Sequence, residues 1–548
     1  MQTLSRQLQT RLKATTLKQW PDLKNRLPVI QISRPGERRH GDYASNLAMQ
    51  LAPLLNQAPM DIAQQLASTT ALKLASVKEV LAAPPGFINF YLDADWLRRQ
   101  PKRILAEGER FGRSELGRGR RLQLEFISAN PTGPLHLGNG RGGFTGDALG
   151  NVLSLAGYRT HREYYVNDQG KQVDTLAESV TRRYFQLQGI PVDYPEYCYQ
   201  GEYITDLAKN LKLDRLSLGQ IDRAKRQIKG RAFRTMLSGI KQTISQTLRI
   251  RFDRWFFESE LYHNKSNERA LARLRERDMV YEQDGAVWLK TSQFGDEKDR
   301  VLVKANGEFT YFLSDVAYTW EKFAIRKFDR AIILLGADHH GYVGRMQAVV
   351  KALGWDGRLE IRLMQLVRLM SNGVEVRMSK RSGTFVTLDE LVEEVGLDVA
   401  RWFFLMVSPN THMDFDLDLA KEHSEKNPVF YVQYAHARIA SIIKNTRPLI
   451  RRKKIASKPL LDDDSAFQLI KNLLRFPELV EASAESLTVH ELTSYALDVA
   501  RDFHDFYTRV RVIDRDVVNR PALELAEATQ LVIRRTLGLL GIKAPDKM

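Results

Sequence analysis

The stretch Leu122-Gln-Leu-Glu-Phe-Ile-Ser-Ala-Asn-Pro-Thr-Gly-Pro-Leu-His136-Leu-Gly138-Asn139-Gly-Arg141-Gly-Gly143 decides the fold. Leu122, Leu124 and Phe126 alternate with Gln123, Glu125 and Ile127, the two-residue period of a strand that ends near Ser128. A Gly/Pro loop runs from Ala129 to Gly143, and Asp147–Leu155 has the apolar spacing of a helix closed by Gly157. A strand over Arg162–Val166 and a helix over Lys171–Leu187 follow. This β-loop-α-β-α order predicts an α/β protein with a doubly wound parallel sheet. The order resumes with a strand at Ala331–Leu335, a helix at Arg345–Leu353 and a strand region at Leu359–Met370. An insertion of roughly residues 190–300 separates the two halves. At its exit, Asn306-Gly307 between Val301–Lys304 and Phe309–Leu313 predicts a hairpin.

Working outward, residues 1–110 read as a small α/β domain. Leu4, Leu8 and Leu12 repeat at helical spacing in a basic first segment, which we read as a first helix rather than a transit peptide. Helices are expected over Tyr43–Leu55 and Met60–Leu74, and a strand over Phe87–Leu92. Gly108–Arg121 reads as a linker. The catalytic unit is expected at 111–400. From about residue 390 the strand signals stop, and the periodicities of Asp389–Val395, Val399–Met406, Val429–Lys444, Ala466–Leu473, Glu491–Tyr507 and Ala522–Leu540 predict an all-α domain over 401–548.

Composition bounds the function. The longest apolar run is Trp402–Val407, far short of the roughly 20 residues that span a bilayer, so no membrane-spanning helix is expected. Cys198 is the only cysteine, which excludes an internal disulfide and a cysteine-built zinc site and suits a reducing compartment. The formal net charge of +16 favours a polyanionic partner. Residues 1–110 carry 16 Lys/Arg against 9 Asp/Glu, residues 209–254 carry 13 against 3, and the segment Lys444–Lys458 contains no acid. Any one run reads equally well as a solvated helix face; three on one chain favour a long polyanion such as nucleic acid.

Two loops carry the chemistry. A strand, a Gly-rich turn and a helix N-terminus form an anion site, and Gly138 permits close backbone approach to a nucleotide. His136 adds a hydrogen-bond donor for a phosphoryl oxygen, although alone it reads as a surface histidine. The second loop, Arg377-Met378-Ser379-Lys380-Arg381-Ser-Gly, suits closure on polyphosphate, although alone it is only a basic loop. On residues alone, Asp315 reads as a helix cap and Tyr311 as a core aromatic.

Together these segments resemble class I aminoacyl-tRNA synthetases. His136-Leu-Gly138-Asn139 resembles the His-Ile-Gly-His motif, and Met378-Ser379-Lys380 the core of Lys-Met-Ser-Lys-Ser. The resemblance narrows to arginyl-tRNA synthetases through Glu125-Phe-Ile-Ser128-Ala-Asn130-Pro, Tyr311-Phe-Leu-Ser-Asp315, Gly336-Ala-Asp-His-His-Gly341, Phe430-Tyr431-Val-Gln-Tyr434-Ala-His-Ala-Arg438 and the ending Lys547-Met548. There are departures. Asn139 replaces the second His, and Arg377 replaces the first Lys. Gly133 stands where relatives lacking the loop lysine carry a substitute Lys.

The resemblance implies a Rossmann-like nucleotide-binding core and ligation of L-arginine to tRNA(Arg) through an arginyl-adenylate. ATP is a substrate, with Mg²⁺ on its phosphates and no zinc. His136 and Lys380 are the implied catalytic donors; Gly138, Asn139, Arg141, Met378 and Ser379 would join them at ATP. Glu125, Ser128, Asn130, Asn139, Tyr311, Asp315 and His339 would hold arginine, with a carboxylate on the guanidinium because that group has donors and no acceptor. Tyr431, Tyr434, Arg438 and Met548 would meet the anticodon. A monomer in the cytoplasm is expected.

Overall fold

The computed structural model describes residues 3–69, 72, 74–211, 221–376, 387–456 and 463–548. Its centre is a parallel sheet of β1 (Arg121–Glu125), β2 (Arg159–Val166), β3 (Arg254–Phe257), β4 (Arg330–Gly336) and β5 (Leu359–Met364), in the spatial order β5-β4-β1-β2-β3. All neighbours run parallel, with Ile333 opposite Glu125 and Glu125 opposite Glu163. The chain leaves β1 toward β2 and β3, then returns to add β4 and β5 on the other side. This reversal opens a crevice at the carboxyl ends of β1 and β4, where doubly wound sheets bind their ligands.

The helix expected over Asp147–Leu155 begins instead at Leu137 and runs to Leu155. Its first half contains five glycines, from Gly138 to Gly146, which hide the apolar period and have poor helix propensity. Packing overrides that propensity: a Cβ on Gly146 would sit 2.3 Å from the Phe126 ring, so only glycine lets the helix lie this close to β1. The helix Lys171–Leu187 has its expected bounds.

At the insertion's exit the hairpin reading is corrected. Arg300–Val303 is a strand and Gly307 turns with φ +82, but Phe309 makes only an isolated bridge. Thr310 then caps a helix over Tyr311–Trp320, its hydroxyl oxygen accepting from the Leu313 amide at 3.3 Å. A single turn of π-helix, Glu321–Ile325, follows.

In the N-terminal region, Tyr43–Leu55 divides into a strand (Tyr43–Ser45) and a helix (Leu47–Leu55), and Val77–Ala83 adds a strand absent from the sequence reading. The C-terminal region is mainly helical but not wholly so. Ile455–Ala456, Ile513–Asp514 and Val517–Asn519 form a small sheet, and Met413–Asp416 pairs with Val367–Ser371. A break at residue 400 would cut the continuous helix Leu397–Leu405.

Arg401 on that helix is 1 % exposed and ties three regions together. It pairs with Asp147 at 2.8 Å and donates to the carbonyls of Leu248 at 2.7 Å and Leu540 at 3.2 Å. The Leu137–Leu155 helix, the segment just before β3 and the last helix (Arg520–Leu540) therefore meet at one guanidinium. Arg401→Met leaves a buried carboxylate and two carbonyls without this donor. We expect a loss of about 3–5 kcal/mol in denaturant unfolding, partly recovered by adding Asp147→Asn; an unchanged midpoint would show that the hub is dispensable.

Candidate active site

The loop after β1 bends sharply. Ile127 and Ser128 both lie in the left-handed region, with φ of 66 and 39. That conformation is strained for a β-branched residue, and such strain concentrates at functional sites. The Ser128 hydroxyl oxygen accepts from the Tyr165 amide at 3.1 Å, which pins the bend to β2. Asn130 follows, exposed.

His136 is the N-cap of the long helix. Its Nδ1 accepts from the Gly138 amide at 3.1 Å, so the neutral ring carries its proton on Nε2. Asn139 completes the cap, its Oδ1 accepting from the His136 amide at 3.0 Å. The Asn139 oxygen is thus engaged by the backbone, unlike a residue whose whole side chain is given to a ligand. His339 lies at the same edge of the sheet, after β4, with its Nε2 3.6 Å from Asp338.

Arg141 does not face this crevice. Its buried guanidinium donates to the carbonyls of Gln365, Ser408 and Thr411, each at 2.7 Å, and of Leu366 at 3.3 Å. The expected ATP contact is corrected to a staple between the helix and the segments that follow β5 and the helix Leu397–Leu405. Arg377, Met378, Ser379, Lys380 and Arg381 lie outside the described residues. Thr387, just beyond them, forms an antiparallel bridge with His136, and the Leu388 amide donates to the Leu135 carbonyl at 3.0 Å. The insertion also reaches the motif loop: the Tyr203 hydroxyl donates to the Thr132 carbonyl at 2.8 Å, and a Cβ on Gly133 would lie 3.3 Å from that hydroxyl.

A cup of carboxylates fills the crevice beside β1. Asp315 sits in mid-helix, so it is not the cap that its sequence alone allowed. Tyr311, one turn earlier, is 60 % exposed rather than a core aromatic; its hydroxyl oxygen accepts from the Lys171 amide at 3.3 Å. Burial raises Asp315 to about 7; the Tyr342 hydroxyl and Arg345 oppose that rise, while Glu258 and Glu125 reinforce it. Burial also raises Glu258, with Asp168 adding to the shift, and among the described residues its buried Oε1 has no hydrogen-bond partner. Three acids share this space because β1, β3 and the Asp315 helix all end or pass there. Glu125 is already held: its Oε2 lies 2.8 Å from the Lys322 ammonium, both groups being buried.

Tyr342, Arg345, Glu258, Asp168 and Lys322 were not singled out from sequence. A usable signal existed for Asp168 and Glu258: each is an acid at the carboxyl end of a core strand, where this fold class places its ligands.

Tyr431, Tyr434 and Arg438 do gather on one face of the helix Pro428–Arg451. Tyr434 is 49 % exposed and stacks with His504, centroids 6.1 Å apart, while Arg438 lies 4.8 Å from the Tyr507 ring centroid. His504 and Tyr507 complete this aromatic face and were missed because they lie on another helix, His490–Arg509. Met548 is exposed at the end of a tail fastened by the Pro545 carbonyl, which lies 2.9 Å from His436 Nδ1.

The family described as "tRNA synthetases class I (R), catalytic domain" matches residues 100–405. The chain belongs to the arginyl-tRNA synthetase family. "Arginyl tRNA synthetase N terminal domain" matches residues 2–92, and "DALR anticodon binding domain" matches residues 432–548. Similar proteins include the arginine–tRNA ligase of Bacillus subtilis, 42% identical over 99% of this chain and 98% of that one, and that of Shouchella clausii, 41% identical with 100% of each chain covered. The solved Thermus thermophilus arginyl-tRNA synthetase shares the fold at a TM-score of 0.79 and 23% identity, with 100% of both chains covered.

The arginyl-type carboxylate in mid-helix makes a sharp expectation. Asp315→Asn is nearly isosteric but accepts through one oxygen and turns an amide donor toward the cation. We expect the arginine KM to rise by on the order of a hundredfold or more, as for a broken desolvated charge pair, with the ATP KM and thermal midpoint nearly unchanged. Steady-state charging within about threefold of wild type (well under 1 kcal/mol) would assign the guanidinium elsewhere.

Proposed function

We propose that the carboxylate cup holds the guanidinium of L-arginine while the His136 loop holds ATP, so that the chain activates arginine and transfers it to tRNA. The observation that carries this reading is Asp315: a carboxylate raised to about 7 beside two further acids, in a crevice that a cation would stabilise. The family membership supports arginine–tRNA ligation with ATP as a substrate.

The chemistry needs no protein nucleophile. The arginine carboxylate attacks the α-phosphorus of ATP, and pyrophosphate leaves. The terminal ribose hydroxyl of tRNA then attacks the adenylate carbonyl and AMP leaves. Catalysis is positioning and charge stabilisation. His136 Nε2–H, at the positive end of a 19-residue helix, would donate to the α-phosphoryl oxygen. Lys380, with Met378 and Ser379, is proposed for the polyphosphate. Gly138 and Asn139 would shape the nucleotide site. Ser128, Asn130 and His339 would hold the amino-acid end, while Tyr311 covers the guanidinium and Glu125 supports it. Mg²⁺ is proposed on ATP's own phosphates, and no step runs through it.

We assign residues 1–110 to tRNA contact, 111–405 to catalysis and the helical remainder to the anticodon, with Tyr431, Tyr434, Arg438 and Met548 facing unpaired bases. We also propose that the chain works as a monomer in the cytoplasm, consistent with its single cysteine.

Charging of total tRNA with each of the twenty labelled amino acids tests the activity; esterification of another amino acid in place of arginine would overturn it. The aromatic face has its own test. Tyr434→Ala should raise the KM for tRNA by about tenfold, within the range of roughly 1–3 kcal/mol per stacked base, and leave the arginine KM unchanged. An unchanged tRNA KM would remove Tyr434 from the anticodon site.

A further inference from the structure

Lys322 is a buried ammonium that the mechanism above does not use. It is 2 % exposed, lies on the π-helical turn Glu321–Ile325, and shares a helix face with Asp315 and Tyr318, at i, i+3 and i+7. Its Nζ lies 2.8 Å from Glu125 Oε2 and 3.9 Å from the centroid of the Tyr318 ring. The ring is itself fixed, because the Tyr318 hydroxyl donates to Glu163 at 2.6 Å and accepts from Gln123 Nε2 at 3.1 Å. Glu163 is in turn clamped by Arg326, one residue beyond the π turn. The ammonium is therefore held against β1 from both sides.

An ion pair this deeply buried seldom stabilises a fold more than apolar residues of the same size would. Its place is informative. Glu125 is the last residue of β1, and its charge acts on Asp315, Tyr342 and Tyr165 across the crevice. Without a resident cation, Glu125 and Asp315 would be two carboxylates in one desolvated cup, a setting in which neighbouring acids come to share a proton. A shared proton would replace the acceptor surface that a guanidinium needs.

We infer that Lys322 is a positioning residue for arginine recognition: it fixes Glu125 through one oxygen and keeps it from closing onto Asp315, so that the cup presents separate acceptors to the guanidinium. This rests on the proposed placement of arginine beside Glu125 and Asp315.

The test uses the full-length enzyme with steady-state charging, arginine and ATP titrated separately. Lys322→Arg keeps a cation that can donate to Glu125 and should leave the arginine KM within about threefold of wild type. Lys322→Met should raise the arginine KM by about tenfold or more, with the ATP KM changed less than about threefold, the pattern of lost substrate binding rather than lost folding. Because the single variant leaves a buried carboxylate unpaired, Lys322→Met/Glu125→Gln is the control for folding. It should recover the thermal midpoint, which traces any loss of stability in the single variant to the unpaired Glu125 carboxylate. A normal arginine KM in folded Lys322→Met would reduce Lys322 to a structural tie. Failure of the pocket reading itself would appear separately, as an unaffected Asp315→Asn enzyme.

Discussion

Burying carboxylates without a matching set of cations is costly, and this protein does so where its sheet reverses direction. Asp315 and Glu258 are both shifted toward their neutral forms in the structure as it stands. The unmatched charge would be relieved by a cation, which is the basis of the arginine placement proposed above. Asp168 engages the Ser259 amide at 2.9 Å, Lys322 attends to Glu125, and the Tyr342 hydroxyl offsets only part of the pressure on Asp315. Folding pays for this strained charge with cohesion elsewhere.

That cohesion comes from two buried arginines with opposite surroundings. Among the described residues Arg141 has carbonyls and no carboxylate as partners, and it ties the helix behind His136 to the chain on either side of the Lys380 segment. Arg401 has Asp147, and it ties the same helix to the last helix of the chain. Gly541 allows this second tie: its φ of +70 ends that helix, and a Cβ there would sit 2.0 Å from Arg401 Nη1. One helix thus carries the His136 loop, proposed above for ATP, at its first turn and its anchors to the rest of the protein along its length.

Much of this is legible in the sequence itself. Alternation in β1, the bounds of Lys171–Leu187 and the interrupted α/β order were legible because apolar period reports burial directly. The start of the helix at Leu137 was not, because glycines chosen for close packing on Phe126 carry no apolar signal. Arg141 was misread for a related reason: an arginine in a glycine-rich phosphate-type loop looks solvent-facing, and only the fold reveals four carbonyls around it. The hairpin at Asn306-Gly307 misled because its turn is real while its second arm is claimed by a capped helix. Lys322 is invisible in the sequence because its meaning lies in a contact with Glu125, far away in the chain.

If the cup binds the guanidinium, it does so by displacing protons from carboxylates that burial has raised. Calorimetric titration of arginine into the enzyme, repeated at pH 6.5 in buffers of different ionisation enthalpy, counts those protons. A carboxyl group near 7 is about three-quarters protonated there, so binding should release between about half and one proton, falling to almost none at pH 8.5. Arginine binding with no proton release at pH 6.5, or with proton uptake, would show that the raised carboxyl groups do not hold the guanidinium.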